Sequence, residues 1–178
     1  MKKFFVIMAM AVMAVSANAQ VYVGGGVGLA SISVSGGDDV TAFKLLPEVG
    51  YNFNQDWAAG VAFGWAGINK GGEKAFSVNP YARYTFVHTD LVNVFIDGGV
   101  TYEHEYGNNS YGKIDNDNLS IGFKPGVALN LSKNLSFVAH FGFLGWEQEK
   151  DNNTKTKTNK WGVNIDGNNI QFGLYLNF

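Results

Sequence analysis

Apolar and polar positions alternate with a period of two along most of the chain. In Ile170–Phe178, the residues Ile170, Phe172, Leu174, Leu176 and Phe178 share one parity, against Gln171, Gly173, Tyr175 and Asn177. Leu119–Leu131 sets Leu119, Ile121, Phe123, Pro125, Val127, Leu129 and Leu131 against Ser120, Gly122, Lys124, Gly126, Ala128 and Asn130. Residues 57–65 and 135–143 follow the same scheme, led by Trp57, Phe63 and Trp65 in one and by Leu135, Phe137 and Phe141 in the other. Successive side chains of a strand point to opposite faces, whereas a helix would repeat every 3.6 residues. Eight such runs are predicted, near 21–34, 42–53, 57–68, 75–87, 92–106, 117–131, 135–148 and 165–178.

The connections alternate in length. Residues 54–56, 88–91 and 132–134 are tight turns. The segments near 35–41, 69–74, 107–116 and 149–164 are longer, polar and rich in Gly, Asn, Asp, Lys and Thr. This pattern predicts consecutive antiparallel hairpins with every long loop at one end. Three strands also end alike: Pro47–Phe53 (PEVGYNF), Pro80–Phe86 (PYARYTF) and Pro125–Leu131 (PGVALNL). Proline has no N–H to give to a ladder, so the repeat implies one local kink built three times.

The second parity decides which face meets which solvent. It holds mostly Gly, Ala, Ser and Asn with an occasional charge. A water-soluble barrel that buried its bulky parity would leave these glycine-rich faces in water, a poor defence of strand edges. Small residues suit the crowded lumen of an eight-stranded cylinder, which side chains just fill. The bulky parity then faces lipid. Tyr51, Phe53, Trp57, Tyr84, Phe86, Tyr102, Tyr106 and Phe178 lie near strand ends, as interfacial girdles require. The expected fold is all-β: an eight-stranded antiparallel up-and-down transmembrane β-barrel.

Composition narrows the setting. The 178 residues include 23 Gly, 14 Phe and 8 Tyr but no Cys, which excludes disulfides, thiolate metal sites and a disordered chain. Lys2 and Lys3 precede the apolar run Phe4–Val15, and Ala17-Asn18-Ala19 supplies a small-x-small cleavage site. These are the three parts of a secretory signal peptide. Residues 1–19 are therefore expected to be cleaved, leaving 20–178 as one barrel domain. An uncleaved anchor is the competing reading, but a helix of this run would span only about 18 Å of a ~30 Å hydrocarbon core. Cleavage removes two of the 13 basic residues and none of the 15 acidic ones, taking the net charge from −2 to −4. That acidity argues against nucleic acid as a partner. No other stretch is long and apolar enough to cross a membrane as a helix, so any crossing is by strands.

With its secretion signal, alternating strands, short turns at one end and long loops at the other, the chain resembles the small outer-membrane barrels of the OmpA/OmpX type. Its last strand, Ile170–Phe178, is similar to that family's assembly signal, with Phe172, Leu174, Leu176 and the terminal Phe178 at every second position. The resemblance implies residence in the outer membrane of a Gram-negative envelope and insertion by the barrel-assembly machinery. It further implies contact with outer-membrane lipid and lipopolysaccharide, with termini and short turns in the periplasm and four long loops outside. An extracellular ligand of those loops is a possible further partner.

Candidate chemistry is confined to a few residues. Inward parity collects Lys44, Glu48, Arg83, Asp97, Glu103, Lys124 and His140. Glu48, Arg83, Asp97 and His140 lie at similar depth, and symmetric pairing about residue 90 would set Arg83 opposite Asp97. A planar guanidinium can hold Glu48 and Asp97 by forked hydrogen bonds. A paired lumen plug is the plain reading of this set; a gate or proton path is the sharper one. His104, between Glu103 and Glu105 and near Ser110 and Tyr111, is the best candidate base for a barrel enzyme, but its parity is opposite to that of both glutamates. His88 sits in a turn, and His140 has no second ligand at useful spacing, so no metal and no cofactor are expected. Gly24, Gly25, Gly26 and Gly28 do not form GxGxxG and fit a tight lumen better than a nucleotide loop. The lysine-rich run 149–160 reads as a solvated loop whose cations could meet lipopolysaccharide. The functional expectation is a structural and surface-interaction barrel serving envelope integrity and adhesion-type contacts. A narrow porin-like channel and a barrel enzyme acting on outer-membrane lipid are the alternatives.

Overall fold

The computed structural model describes residues 20–32, 40–68, 72–109, 112–164 and 170–178. Ten strand segments account for nearly all of them: β1 (Val21–Ile32), β2 (Val40–Asn52), β3 (Trp57–Ile68), β4 (Lys74–His88), β5 (Val92–Asn109), β6 (Gly112–Asn130), β7 (Leu135–Phe141), β8 (Phe143–Asp151), β9 (Lys157–Asn164) and β10 (Ile170–Asn177). Each of β1 to β5 pairs antiparallel with the next, and β5 pairs with β6. β6 pairs with β7 and then β8, which form one stave; β10 pairs with β7 and β9 with β8, and together they occupy the eighth position. β10 closes the cylinder on β1, from Tyr22↔Asn177 to Gly26↔Gly173. The result is an eight-stranded antiparallel barrel. Residues 1–19, which carry the expected signal peptide, lie outside the described residues, as do 33–39, 69–71, 110–111 and 165–169.

The short turns are closed by side chains as well as backbone. Asn54 Oδ1 accepts from the N–H of Asp56 and of Trp57, both at 2.8 Å. Thr89 Oγ1 both donates to the Val92 carbonyl and accepts from the Val92 N–H. Ser132 Oγ accepts from Leu135 N–H at 3.2 Å. These local bonds are what Asn, Ser and Thr contribute to turns.

The three prolines do make a repeated feature. Pro47 and Pro80 keep register with the preceding strand (Gly25↔Pro47, Val61↔Pro80), while pairing with the following strand lapses at the proline and resumes in the same register. Pro125 likewise pairs with Ile96 on β5 and interrupts the ladder on its other side. There, two residues of β6 between Phe123 and Gly126 oppose three of the neighbouring stave, a β-bulge. Gly142 sits in that bulge with φ 73°, a conformation that glycine adopts without steric cost.

Sidedness follows the bulky parity. Leu45, Phe63, Trp65, Phe76, Ile121, Phe123, Phe172, Leu174 and Leu176 are all exposed on the outer surface. Tyr51, Phe53, Trp57, Tyr84 and Phe86 form a ring of outward aromatics at the short-turn end, with Tyr51–Phe53 and Trp57–Tyr84 centroids 5.4 and 4.8 Å apart. Phe178 is half-buried, its N–H donating to the Val21 carbonyl at 2.9 Å.

Two features differ from the sequence expectations. The inner face is not only small and polar: Tyr22, Tyr81, Phe95, Val138 and Tyr175 are buried in the lumen. Glycines on adjacent strands make room for these rings. Gly50 lies against Tyr22, Gly60 against the Tyr81 hydroxyl and Gly126 against Phe95, and a Cβ at any of the three would overlap the aromatic side chain. The expected loops at 107–116 and 149–164 are largely strand. The β5–β6 ladder continues to Asn109↔Gly112, and β8 and β9 stay paired to Lys150↔Lys157. Beyond the apolar belt a strand needs no greasy parity, so a polar composition there is no sign of irregular backbone.

Candidate functional site

The barrel interior is crossed by one charged layer. Arg83 on β4 and Asp97 on β5 are register partners and point inward. Arg83 Nε donates to Asp97 Oδ1 at 2.7 Å and Nη2 to Oδ2 at 2.8 Å, a forked pair whose two residues are only 8% and 7% exposed. Glu48 on β2 approaches Arg83 Nη2 at 3.6 Å. His140 on β7 places Nε2 2.9 Å from Asp97 Oδ2 and 3.5 Å from Arg83 Nη2. Since the guanidinium can only donate, the shorter contact fixes the assignment: His140 Nε2–H donates to Asp97.

Aromatic side chains surround these charges. The guanidinium carbon stands 3.9 Å from the Phe95 ring centroid and 5.4 to 5.6 Å from those of Tyr22, Tyr81 and Tyr175. Such faces attract a cation where water is excluded. Their hydroxyls also bind the second carboxylate. Tyr175 donates to Glu48 Oε2 at 2.6 Å, Tyr81 donates to Glu48 Oε1, and Tyr22 and Tyr81 share a hydrogen bond. Each buried carboxylate thus has a cation and further donors, the condition under which burying charge is tolerable.

The layer separates two cavities. The one toward the hairpin end is about 520 Å³ and is bounded below by Glu48, Tyr81, Asp97 and His140. The one toward the short turns is about 430 Å³ and is bounded by Tyr22, Arg83 and Phe95. Val138 and Tyr175 border both.

Glu48, Arg83, Asp97 and His140 therefore meet, while Lys124, the register partner of Asp97, and Lys44 make no ion pair with them among the described residues. Lys124 lines the upper cavity, its ammonium 3.0 Å from the Asn79 amide oxygen, which also accepts from Thr101 Oγ1 at 3.1 Å. Lys44 lines the same cavity but is exposed. The sequence reading missed Tyr22, Tyr81, Phe95 and Tyr175. The available signal was that Tyr175 shares the parity of Gly173, and Phe95 that of Asp97.

His104 faces outward, away from the cavity wall formed in part by Glu103 and Glu105. Its Nδ1 lies 2.9 Å from Asp117 Oδ1, and its ring stacks on Tyr106. Asp117 also accepts from Asn152 Nδ2 and from the Tyr102 hydroxyl, both at 2.8 Å. Hydrogen bonds from Asn152, then Tyr102 and His104, hold its carboxyl down at about 2. This cluster ties the β8–β9 turn to the base of the β5–β6 hairpin. Ser110 and Tyr111 lie outside the described residues. His88 Nε2 donates to the Gln55 carbonyl at 2.7 Å, joining two short turns.

Three comparisons with known proteins bear on this architecture. The structure resembles the crystal structure of Neisserial surface protein A, with a TM-score of 0.57, 17% identity and coverage of 89% of this chain and 97% of that one. It also resembles the N-terminal β-barrel domain of Pseudomonas aeruginosa OprF, with a TM-score of 0.55, 13% identity and coverage of 90% and 98%. At these identities the likeness is one of fold. No curated protein sequence matches the chain significantly. A family profile described as outer membrane protein beta-barrel domain matches residues 4–178. The match spans nearly the whole chain, and the chain belongs to the outer membrane protein beta-barrel domain family.

Proposed function

We propose that this outer-membrane barrel is a closed structural and surface-display protein, not a conduit or a catalyst. The observation that carries the reading is the buried layer of Arg83, Asp97, Glu48 and His140, packed among Tyr22, Tyr81, Phe95 and Tyr175, between the two cavities. With its charges paired, such a layer stiffens the cylinder and leaves the work to the exterior. That exterior consists of a belt in contact with outer-membrane lipid and, beyond it, the polar β5–β6 and β8–β9 hairpins. These hairpins are proposed to face outside and make adhesion-type contacts with an extracellular ligand. In the same reading, residues 1–19 are the cleaved export signal, and β10, with Phe172, Leu174, Leu176 and the following Phe178, is the strand the barrel-assembly machinery reads.

The test is to replace residues 107–114 and 151–156 with two-residue turns, which join the register partners Tyr106↔Asp115 and Lys150↔Lys157. The trimmed barrel is expected to fold, judged by heat-modifiable gel mobility, and to retain envelope integrity in detergent challenge. Binding of cells to host-type surfaces is expected to fall to background. Full surface binding by a correctly folded, trimmed barrel would remove the display role.

A further inference from the structure

The cavity toward the hairpin end sorts its charges by height. Above its floor the wall carries three lysines, Lys44, Lys124 and Lys160, and four glutamates, Glu103, Glu105, Glu147 and Glu149. One pair of opposite charges among them closes: Lys160 Nζ and Glu149 Oε2, at 3.0 Å. Lys44 on β2 and Lys124 on β6 stand four staves apart in an eight-stave wall, so they face each other across the lumen. They also share a level. Lys44 lies four residues above Glu48, and Thr101 four above Asp97, while Glu48 and Asp97 meet at Arg83. The Asn79 amide oxygen accepts from both Thr101 Oγ1 and Lys124 Nζ, which brings the second ammonium up to the Thr101 level.

The glutamates stand higher. Glu103, Asn118 and Glu149 occupy one rung across β5, β6 and β8, and Glu147 is in register with Ser120, on the next inward rung below. Neither lysine of the facing pair has an ion pair among the described residues, and neither Glu103 nor Glu147 has an ion pair or a hydrogen bond there. Between Glu103 and Glu149, Asn118 Oδ1 is buried with no hydrogen-bond partner among the described residues. A buried acceptor without a donor is costly. Two carboxylates add acceptors to the same rung, so what completes it is a donor, an ammonium above all.

The two levels select a ligand that carries both charges. A simple anion leaves the glutamates unmatched, and a simple cation leaves the lysines so. Glu103 is the second residue above Thr101, about 7 Å at ~3.4 Å per residue. A free amino acid is too short to bridge that gap with its own ammonium and carboxylate, whereas an extended peptide of about two or three residues spans it at ~3.3–3.6 Å per residue. We propose that this cavity is a binding site for a short zwitterionic peptide, its C-terminal carboxylate between Lys44 and Lys124 and its α-ammonium at Glu103, Glu147 and Asn118. The cavity volume of about 520 Å³ falls within the range of small-molecule sites. The site is a blind well, since the Arg83 layer closes its floor, and it is independent of the display role and of which way the hairpins face. The competing role is electrostatic alone: lysines and glutamates neutralise one another through water and take no ligand.

The test uses the full barrel in detergent micelles and saturation-transfer NMR titrations. The probes are trialanine, its N-acetyl form, its C-terminal amide and free alanine. Trialanine should bind saturably, and either cap should weaken it about tenfold or more, the loss of one charge-assisted interaction. Free alanine should bind no better than the capped forms. Lys44 is exposed, so Lys44→Gln is a mild change to the fold. It should weaken trialanine about three- to fivefold, as for an exposed ion pair, and leave the amide unchanged, because the amide has no carboxylate to lose. Glu103→Gln should weaken trialanine and leave the N-acetyl form unchanged. Gel mobility verifies the fold of each variant; should Glu103→Gln not fold, the caps and Lys44→Gln carry the test. No saturable binding of trialanine, equal binding of free and capped peptides, or an equal loss for trialanine and its amide in Lys44→Gln would overturn the site and leave neutralisation as the role. Binding that needs the carboxylate but not the ammonium would overturn the peptide assignment and make the well an anion site.

Discussion

Arg83 is the single arginine of the chain, and two buried carboxylates depend on it. Arg83→Gln keeps a polar side chain but strands Asp97 and Glu48 without a guanidinium. Breaking a buried pair from one side typically costs about 3–5 kcal/mol, and a loss of that size is expected in urea unfolding of the barrel in lipid vesicles. Adding Asp97→Asn should restore part of it, because the second charge is then gone as well, and a double-mutant cycle would measure the coupling. A loss below about 1 kcal/mol would mean that water in the flanking cavities solvates these groups and that the pair is incidental. This pairing was legible in the sequence because parity gives the face and a turn centred near residue 90 gives the register. The bulge between Thr85 and Val87 lies nearer the turn and leaves Arg83↔Asp97 intact. The aromatic collar was not legible in the same way. Whether a lumen can hold Phe95 or Tyr22 depends on Gly126 or Gly50 in the neighbouring strand, and single-strand periodicity carries no cross-strand information.

At the scale of elements, the β5–β6 and β8–β9 hairpins show where compositional reading stops. Asn, Asp, Gly and Thr mark turns when they interrupt an apolar strand, but 112–118 and 157–160 are outside the belt and simply continue the ladder in polar residues. What holds them together is a side-chain lattice. Asn152 Nδ2 donates to Asp115 Oδ1 at 3.0 Å and to Asp117 Oδ2, Asn153 Nδ2 to the Lys113 carbonyl at 2.8 Å, and Lys113 Nζ to Asp115 Oδ2 at 2.9 Å. The Asp115 carboxyl, like that of Asp117, is held below its usual value, by Lys113 first and then Asn152. A depressed carboxylate stabilises the folded state fully above its unfolded pKa, near 3.9, and loses that contribution as pH falls through the folded value. For Asp117 that value is about 2, so the lattice is expected to loosen between roughly pH 4 and pH 2. Amide hydrogen exchange at Asn152 and Asn153 should accelerate over that window while the β3–β4 ladder stays protected. Asp117→Asn should remove most of the pH dependence. Exchange that does not change over that window would show that Asp117 does not hold the lattice.

For the whole molecule, the decisive property is how the lumen is divided. An eight-stranded cylinder has an interior that side chains just fill, and here they fill it unevenly, leaving one cavity on each side of the charged layer. Water and small ions can enter both cavities, but a permeant ion must pass Arg83, Phe95, Val138 and Tyr175, which are all buried. The rings also pack on their neighbours: Tyr22 and Tyr175 stack at 5.5 Å and Phe95 lies edge-on to His140 at 5.3 Å. The wild-type barrel is therefore expected to give no resolved single-channel steps in planar bilayers at moderate voltage, with insertion verified independently. Removing one charge alone should not open it, because the collar remains. Removing Arg83 and Asp97 together with the Phe95 ring (Arg83→Ser, Asp97→Ser, Phe95→Ala) joins the two cavities through the layer and should produce small steady steps, provided the barrel still folds by gel mobility. Resolved steps in the wild type that change in size in Arg83→Ala would reverse the assignment, making the Arg83–Asp97–His140 cluster a gate and the barrel a narrow channel.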